Sequence, residues 1–451
     1  MIASYQDLLV QKSAKPKMLG FENIDPHKLS KPHQRDCLRM LLNVRRGAAF
    51  LDTGLGKTFL QLDWARHIPG KVLIVTPLAV AQQTIREANN LMGIKDIGFS
   101  SDGSVNHQIT VTNYERLDNF DGSQFEGVVL DESSILKGKN SKTKAQICSM
   151  FGDTEYRLAC TATPAPNDYT ELGNHAEFLG LMTTQEMLMR WFIHDSANTA
   201  DWRLKGHAVR DFWDWVSSWA ACVTMPSDLG YDDEGYDLPP FKTVTHVIKT
   251  ELKQAEGMLF DIGGISSTEL HSDKRETING RCEHVADLVN NSNEPWIVWC
   301  ESNDESDLLA RLIPDAVDVK GADSPESKER KALAFSDGEA RVIISKSSIF
   351  GYGLNWQHCR KMAFASISYS FEKYYQAVRR IWRFGQTGNV EIHVTIADRE
   401  IDVWRAIERK AENHQLMKSY MKYTKLATDD SGSQTVQDYE PCMDGALPDF
   451  L

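Results

Sequence analysis

Short apolar runs rich in β-branched residues recur along the chain from about residue 30, separated by segments with helix-like patterning. KVLIVT (71–76), QITVT (108–112), GVVLDE (127–132) and YRLACTATP (156–164) are continuously apolar rather than alternating. A strand that is apolar on both sides has to be covered on both, as in a parallel sheet flanked by helices. The same grammar restarts after residue 240 with PWIVWC (295–300), ARVIIS (340–345), KMAFAS (361–366) and VEIHVTIA (390–397). Two doubly wound α/β units in succession are predicted. Between them lies the acidic stretch YDDEGYDLPPF (231–241), whose Pro239 and Pro240 stop helices and stiffen a connection. The segment from Thr183 to Met225 departs from the pattern: Trp191, Trp202, Trp213, Trp215 and Trp219 are five of the eleven tryptophans. It reads either as a helical insertion whose indoles pack against the first unit or as a stacking platform for nucleic-acid bases.

The 451 residues divide on this reading into an N-terminal extension (1–29), a first α/β domain (30–182), a Trp-rich helical insertion and linker (183–238), a second α/β domain (239–426) and an acidic tail (427–451). That length suits two full cores. With 41% hydrophobic and 25% charged residues the chain is globular, which excludes fibrous and disordered classes. The longest nearly apolar stretch, VLIVTPLAVA (72–81), is half of the ~20 residues a bilayer span needs, so no membrane helix is expected. The N-terminus MIASYQDLLVQKSAKPKM lacks the features of a secretory signal, and a cytoplasmic location is expected. Eight cysteines are scattered singly without a C-x-x-C pair and read as reduced, mostly core residues. A net charge of −13 argues against a nucleic-acid partner when taken alone. The tail contributes −6 of it through Asp429, Asp430, Asp438, Glu440, Asp444 and Asp449, leaving −7 on residues 1–426. A protein that binds nucleic acid along one narrow basic track can be acidic elsewhere, so local motifs carry more weight.

The strongest of these is LDTGLGKT (51–58), after the apolar GAAF and before a helix-like FLQLDWARH. Gly54 and Gly56, following Thr53, let the backbone turn its N–H groups around phosphate oxygens at a helix N-terminus. Lys57 then reaches the β and γ phosphates of ATP and the Thr58 hydroxyl ligates Mg²⁺. Downstream, GVVLDESS places Asp131 and Glu132 at the end of a buried strand, where ligands sit in an open α/β sheet. Asp131 suits the Mg²⁺ shell, and Glu132 suits the base that orients and deprotonates an attacking water. QAVRRIWRFGQ (376–386) repeats Arg379, Arg380 and Arg383 at helical spacing. A second domain closing on that nucleotide needs cations for the charge developing on the transferred phosphoryl, and Arg380 and Arg383 are three apart on one face.

Taken in order, these motifs resemble a superfamily 2 helicase of the Snf-type DNA translocase group, especially its compact bacteriophage and prophage versions. The resemblance runs from about residue 30 to 400 and implies two tandem RecA-like parallel-sheet P-loop NTPase domains with an aromatic-rich helical insertion. KPHQRDCL (31–38) is similar to an adenine-reading glutamine motif, which implicates Gln34. TPLAVAQQ (76–83) and VTNYERL (111–117) resemble stretches that grip one strand's backbone, implicating Thr76, Pro77, Thr112 and Asn113. TATPAPNDYTELGNHAEFL (161–179) resembles the segment coupling hydrolysis to domain movement, with Thr161, Ala162 and Thr163 and, from the last motif, Gln376. IVWCES (297–302) and SSIFGYGLNW (347–356) match second-domain motifs, implying nucleotide contacts for Gly353 and Asn355 and a strand contact for Ser347, while Gln386 also falls in its matching place. Two departures stand out. Leu51 replaces the glycine of the common phosphate loop, and DESS replaces DEAH or DEGH, so Ser133 and Ser134 stand where a small residue and a histidine relay hydrolysis to the strand-binding side.

The resemblance implies an ATP-dependent DNA helicase or translocase using ATP and Mg²⁺, with duplex, forked or branched DNA as partner, RNA a weaker candidate and no membrane. Phage replication, recombination or fork and branch remodelling in the bacterial host cytoplasm is the setting it implies. Alternatives are the motor subunit of a restriction-modification assembly and an ATP-dependent nucleic-acid-binding switch.

Overall fold

The computed structural model describes residues 20–21, 23–78, 80–137, 141–194, 202–249, 274–350 and 355–422. The acidic tail, most of the N-terminal extension and Gly353 lie outside them.

The first domain is a seven-stranded sheet of β1 (Arg46–Leu51), β2 (Val72–Thr76), β3 (Ile97–Phe99), β4 (Ile109–Asn113), β5 (Gly127–Asp131), β6 (Tyr156–Cys160) and β9 (Ala220–Val223). Their order is β3-β4-β2-β5-β6-β1-β9, and every pairing is parallel. Successive side chains go to opposite faces, and both faces are buried. Phe50, Leu73, Val75 and Leu130 enter one core, and Leu51, Ile74, Val129 and Leu158 enter the other. That two-sided burial is the physical content of the continuous apolar runs.

The second domain repeats the plan with six parallel strands: β10 (Phe241–Ile248), β11 (Trp296–Cys300), β12 (Ala316–Val319), β13 (Val342–Lys346), β14 (Lys361–Phe364) and β15 (Val390–Ala397), in the order β10-β15-β14-β11-β13-β12. All eight apolar runs read from the sequence are strands. The fold is two tandem parallel-sheet α/β domains.

The tryptophan segment is core. Trp191, Trp213, Trp215 and Trp219 are at most 4% exposed and pack beneath the first sheet. Helix Val209–Ser217 presents Phe212, Trp215 and Val216 inward, and Trp219 continues that i, i+3, i+4, i+7 stripe just beyond its end. The Trp191 and Trp215 rings stack at 4.6 Å between centroids. The base-stacking reading therefore fails for these four indoles, which have no free face. After them β9 returns to the first sheet as the neighbour of β1; β7 (Phe192–His194) and β8 (Trp202–Leu204) form a small antiparallel ribbon beside it.

The last helix, Ile401–Lys422, fastens the domains together. Val403, Trp404 and Ile407 belong to the second domain's core, whereas Met417 and Met421 belong to the first domain's. Trp213 stacks on Tyr420 of this helix at 5.9 Å and 11°. The seven described cysteines are free, five of them buried. Among the described residues no helix is long and apolar enough to cross a membrane.

Candidate active site

Because β1, β6 and β5 are neighbours, the residues that follow them gather at one edge of the first sheet. The loop after β1 turns through Gly54 (φ +93°) and Gly56 (φ +79°), a region open to glycine and costly to other residues. A Cβ on Gly56 would also lie 2.2 Å from Nε2 of Gln34, and one on Gly54 would lie 2.7 Å from Cβ of Phe384 in the second domain. The loop leads into helix Lys57–His67, which starts on the phosphate-loop lysine. Lys57 Nζ donates to the Leu51 carbonyl at 2.9 Å. Burial lowers its pKa, outweighing the pull of Glu132, Asp52 and Asp131. Gln34 donates to the Leu55 carbonyl and accepts from the Lys31 amide, both at 2.9 Å, and so braces the loop from outside.

The two carboxylates stand opposite this loop. Asp131 accepts from Gln61 Nε2 at 2.7 Å and from the Thr76 hydroxyl at 3.1 Å. Glu132 has a left-handed backbone (φ 60°, ψ 57°), rare for a residue with a side chain, that turns its carboxylate into the cleft. One of its oxygens accepts from the Thr161 hydroxyl and from Ser134 Oγ, and the other accepts from Gln376 Nε2 of the second domain at 3.3 Å. Burial raises the pKa of both carboxyls, against the opposing effect of Lys57. Thr161 in turn accepts from the Thr163 amide at 3.0 Å. Glu132 thus bridges the 161–163 segment, whose Ala162 is itself buried against the second domain's core, and the helix Phe371–Val378.

The second domain supplies the opposite wall. Arg380, Arg383 and Asn355 line the same cleft of about 420 Å³ as Thr53, Gly54, Gly56, Lys57, Thr58, Asp131 and Glu132. Arg383 Nη1 donates to Asn355 Oδ1, and Arg380 Nε donates to the Gln376 carbonyl at 3.1 Å. Burial and the neighbouring Arg379 push the Arg383 pKa down to about 10. Gln386 lies off the cleft, its amide donating to the Gln357, Cys359 and Ile381 carbonyls. The glycine cradle that a Cβ would fill, together with a hydroxyl and a carboxylate on the same cleft, fits a nucleotide with Mg²⁺ held by Thr58 and Asp131.

The strand-gripping residues are placed differently. Thr76 is fully buried on Asp131, Thr112 donates to the Ser100 carbonyl at 2.9 Å, and Asn113 is buried at the end of β4. Pro77 lines the nucleotide cleft, and Ser347 donates to Glu301 at 3.3 Å and is buried. The Thr76, Thr112 and Ser347 hydroxyls turn inward to protein partners, whereas Asn113 Oδ1 is buried without one among the described residues. The sequence reading also missed several partners. Ser133 contacts His175 Nε2 at 3.1 Å, Ser134 donates to Glu372 of the second domain, and Glu372 pairs with Lys137. Asp52, Tyr375 and Lys418 form a further cluster behind the phosphate loop. Only the second-domain motif hinted at any of them, through Arg379.

Comparison with known proteins agrees with this arrangement. The family model of the type III restriction enzyme, res subunit, matches residues 27–166, and that of the helicase conserved C-terminal domain matches residues 280–385. Human (Homo sapiens) DNA repair and recombination protein RAD54B is 28% identical over 184 residues, 33% of this chain and 20% of the relative. The chain thus spans about a fifth of the length of that curated relative. The solved SWI2/SNF2 ATPase core of Sulfolobus solfataricus in complex with dsDNA aligns over 90% of this chain and 96% of that one, at 14% identity and a TM-score of 0.42. The two family models thus match in order on either side of one cleft, a res-subunit-like first domain and a helicase C-terminal-like second domain.

Proposed function

We propose that the protein is a DNA-dependent ATPase that converts hydrolysis into movement along DNA. The observation that carries this reading is Glu132, held between Thr161 of the first domain and Gln376 of the second at a cleft lined by Arg380 and Arg383. ATP lies with its phosphates on the 53–58 loop, Gln34 beside the base and Lys57 on the β and γ phosphates. Thr58 and Asp131 would hold a Mg²⁺ ion, which would supply charge neutralisation on those phosphates. Glu132 takes a proton from water as its oxygen attacks the γ-phosphorus and the bond to the β-γ bridging oxygen breaks, giving ADP and phosphate. Burial suits Glu132 to that role, since a carboxylate less comfortable as an anion is a stronger base. Arg380 and Arg383 neutralise the charge that develops on the transferred group. Loss of the γ-phosphate removes what draws the arginines to the first domain. The Gln376–Glu132–Thr161 chain passes that change to residues 161–163, and DNA lying across both domains is advanced by their reopening. The motor so defined is the first domain, whose sheet takes β9 from within the expected insertion 183–238, and the second domain from residue 239.

The finer setting we infer is DNA recombination, replication or fork and branch remodelling, in a phage-encoded protein of the host cytoplasm. The relative described as a repair and recombination protein supports the first of these. The match to a restriction-enzyme subunit family favours a second reading, the motor of a restriction-modification assembly. A nucleotide switch without turnover is disfavoured, because the base and both arginines are present on the cleft. A triplex-displacement assay tests the proposal: ATP should drive release of the third strand from duplex DNA, and Glu132→Gln should abolish it. Unwinding of forks measured beside it separates helicase from translocase, and no ATP-dependent displacement or unwinding would sink the motor reading.

A further inference from the structure

Three arginines sit close together in the second-domain motif, and they part company around the phosphate loop. Arg380 and Arg383 line the nucleotide cleft, whereas Arg379 lines a separate cavity of about 470 Å³ on the other side of the loop, with Asp52 and Lys418. Asp52 is the second residue of the loop, between Leu51, whose carbonyl takes Lys57 Nζ, and Thr53, whose amide donates to Asp52 Oδ1 at 2.7 Å. Its carboxylate receives Arg379 Nη2 at 2.7 Å, Lys418 Nζ at 2.8 Å and the Tyr375 hydroxyl. The side chains are only 10%, 4% and 9% exposed for Asp52, Arg379 and Lys418. One first-domain carboxylate thus holds two second-domain cations, from the end of helix Phe371–Val378 and from the terminal helix Ile401–Lys422. Burial would raise the Asp52 pKa, but Arg379 and Lys418 outweigh it and hold the carboxyl far below the usual range.

We infer that Asp52, Arg379 and Lys418 form a latch that positions Arg380 and Arg383 on the nucleotide by tying the back of the phosphate loop to the turn, just after helix Phe371–Val378, that carries them. The inference rests on the ATPase reading and deepens it. None of the three need touch the nucleotide; they are positioning residues. Arg379 adjoins Arg380 in the chain, so anchoring one beside Asp52 fixes where the other emerges into the cleft. Misplacement by about 1 Å of a group that acts only in the transition state costs up to about 10²-fold in rate. Nucleotide affinity, set mainly by the 53–58 loop itself, should change far less.

The test uses the full chain with Asp52→Asn, Arg379→Gln and the double variant. The latch predicts that each single change lowers the DNA-stimulated kcat by about 10²-fold while a fluorescent ADP analogue binds within about threefold of wild type. It also predicts that the double variant loses no more than either single, because both remove one interaction. A merely structural ion pair would lower the melting temperature and leave kcat per folded molecule unchanged, with additive effects; that result overturns the latch. Hydrogen exchange, in buffer without nucleotide, gives a readout independent of turnover. Residues 51–58 should exchange faster in Arg379→Gln than in wild type while helix Ile278–Asn290 is unaffected, and equal exchange in the loop also overturns it. If wild type shows no DNA-stimulated hydrolysis, the ATPase reading fails, and the exchange data decide whether the loop is latched.

Discussion

The nucleotide cleft and the tryptophan core lie on the same sheet and treat burial in opposite ways. In the core, Trp191, Trp215 and Trp219 pack ring against ring with Phe212, and almost every contact is apolar. In the cleft, Lys57, Asp131 and Glu132 are buried together, each displaced by burial toward its neutral form, and Glu132 holds a backbone conformation that costs roughly 1–3 kcal/mol. The core stabilises the domain that the cleft strains. Polarity and strain of this kind persist at sites of chemistry when the surrounding packing holds them in place.

That contrast can be broken by exchanging the readouts of the two regions. The largest effect is expected in the cleft: Arg380→Ala should lower DNA-stimulated turnover by about 10³- to 10⁵-fold and still bind nucleotide through Lys57, Thr58 and Asp131. Glu132→Gln should lower turnover by about 10²- to 10⁴-fold with affinity and melting temperature close to wild type. Wild-type-like turnover in that variant would remove Glu132 from the chemistry. In the core, Trp219→Ala should cost about 3–5 kcal/mol of stability, read by urea unfolding, with unaltered ATPase activity per folded molecule. A stable Trp219→Ala protein with weakened DNA binding would reverse the roles assigned to the two regions.

The smallest effect sharpens the seam between them. His175 touches Ser133 on the cleft side and the Phe50 ring, 5.2 Å away, on the core side. Burial pulls its pKa down to about 4, below the ordinary value of 6.5. The folded state therefore resists the proton that the unfolded chain accepts. The stability this provides is fully present above pH 6.5 and is lost as pH falls from 6.5 towards 4, by up to about 3 kcal/mol. Melting temperatures at pH 7.5 and 4.5 should fall further apart in wild type than in His175→Gln; identical differences would show that His175 is not the group titrating.

How much of this could be read in the sequence follows the same division. Strands buried on both faces announce themselves by composition: all eight runs read that way are strands, and β1 shows only as the apolar GAAF before the phosphate loop. β10 was missed because it is a half-exposed edge strand, β3 and β12 because they are short edge strands, and β9 because it hides behind the tryptophans. In the site, residues whose role depends on a local turn or a strand end were legible: Gly54, Gly56, Lys57, Asp131 and Glu132. Whether a strand-end hydroxyl such as Thr76 or Thr112 faces solvent or a neighbour is decided by the adjacent strand, which sequence spacing does not specify. The partners of Asp52 are 323, 327 and 366 residues away, so no local pattern could bring them together.

On the proposed reading, two domains closed by DNA around one nucleotide act as a single ATPase. Steady-state ATP hydrolysis by the intact protein, with and without duplex DNA, tests it most directly. Stimulation of at least roughly tenfold is expected, a modest part of what an arginine finger contributes, lost in Arg380→Ala and steeply weakened by salt because the contacts are to phosphate. A rate that no nucleic acid alters, or an isolated first domain as fast as the whole chain, would contradict it.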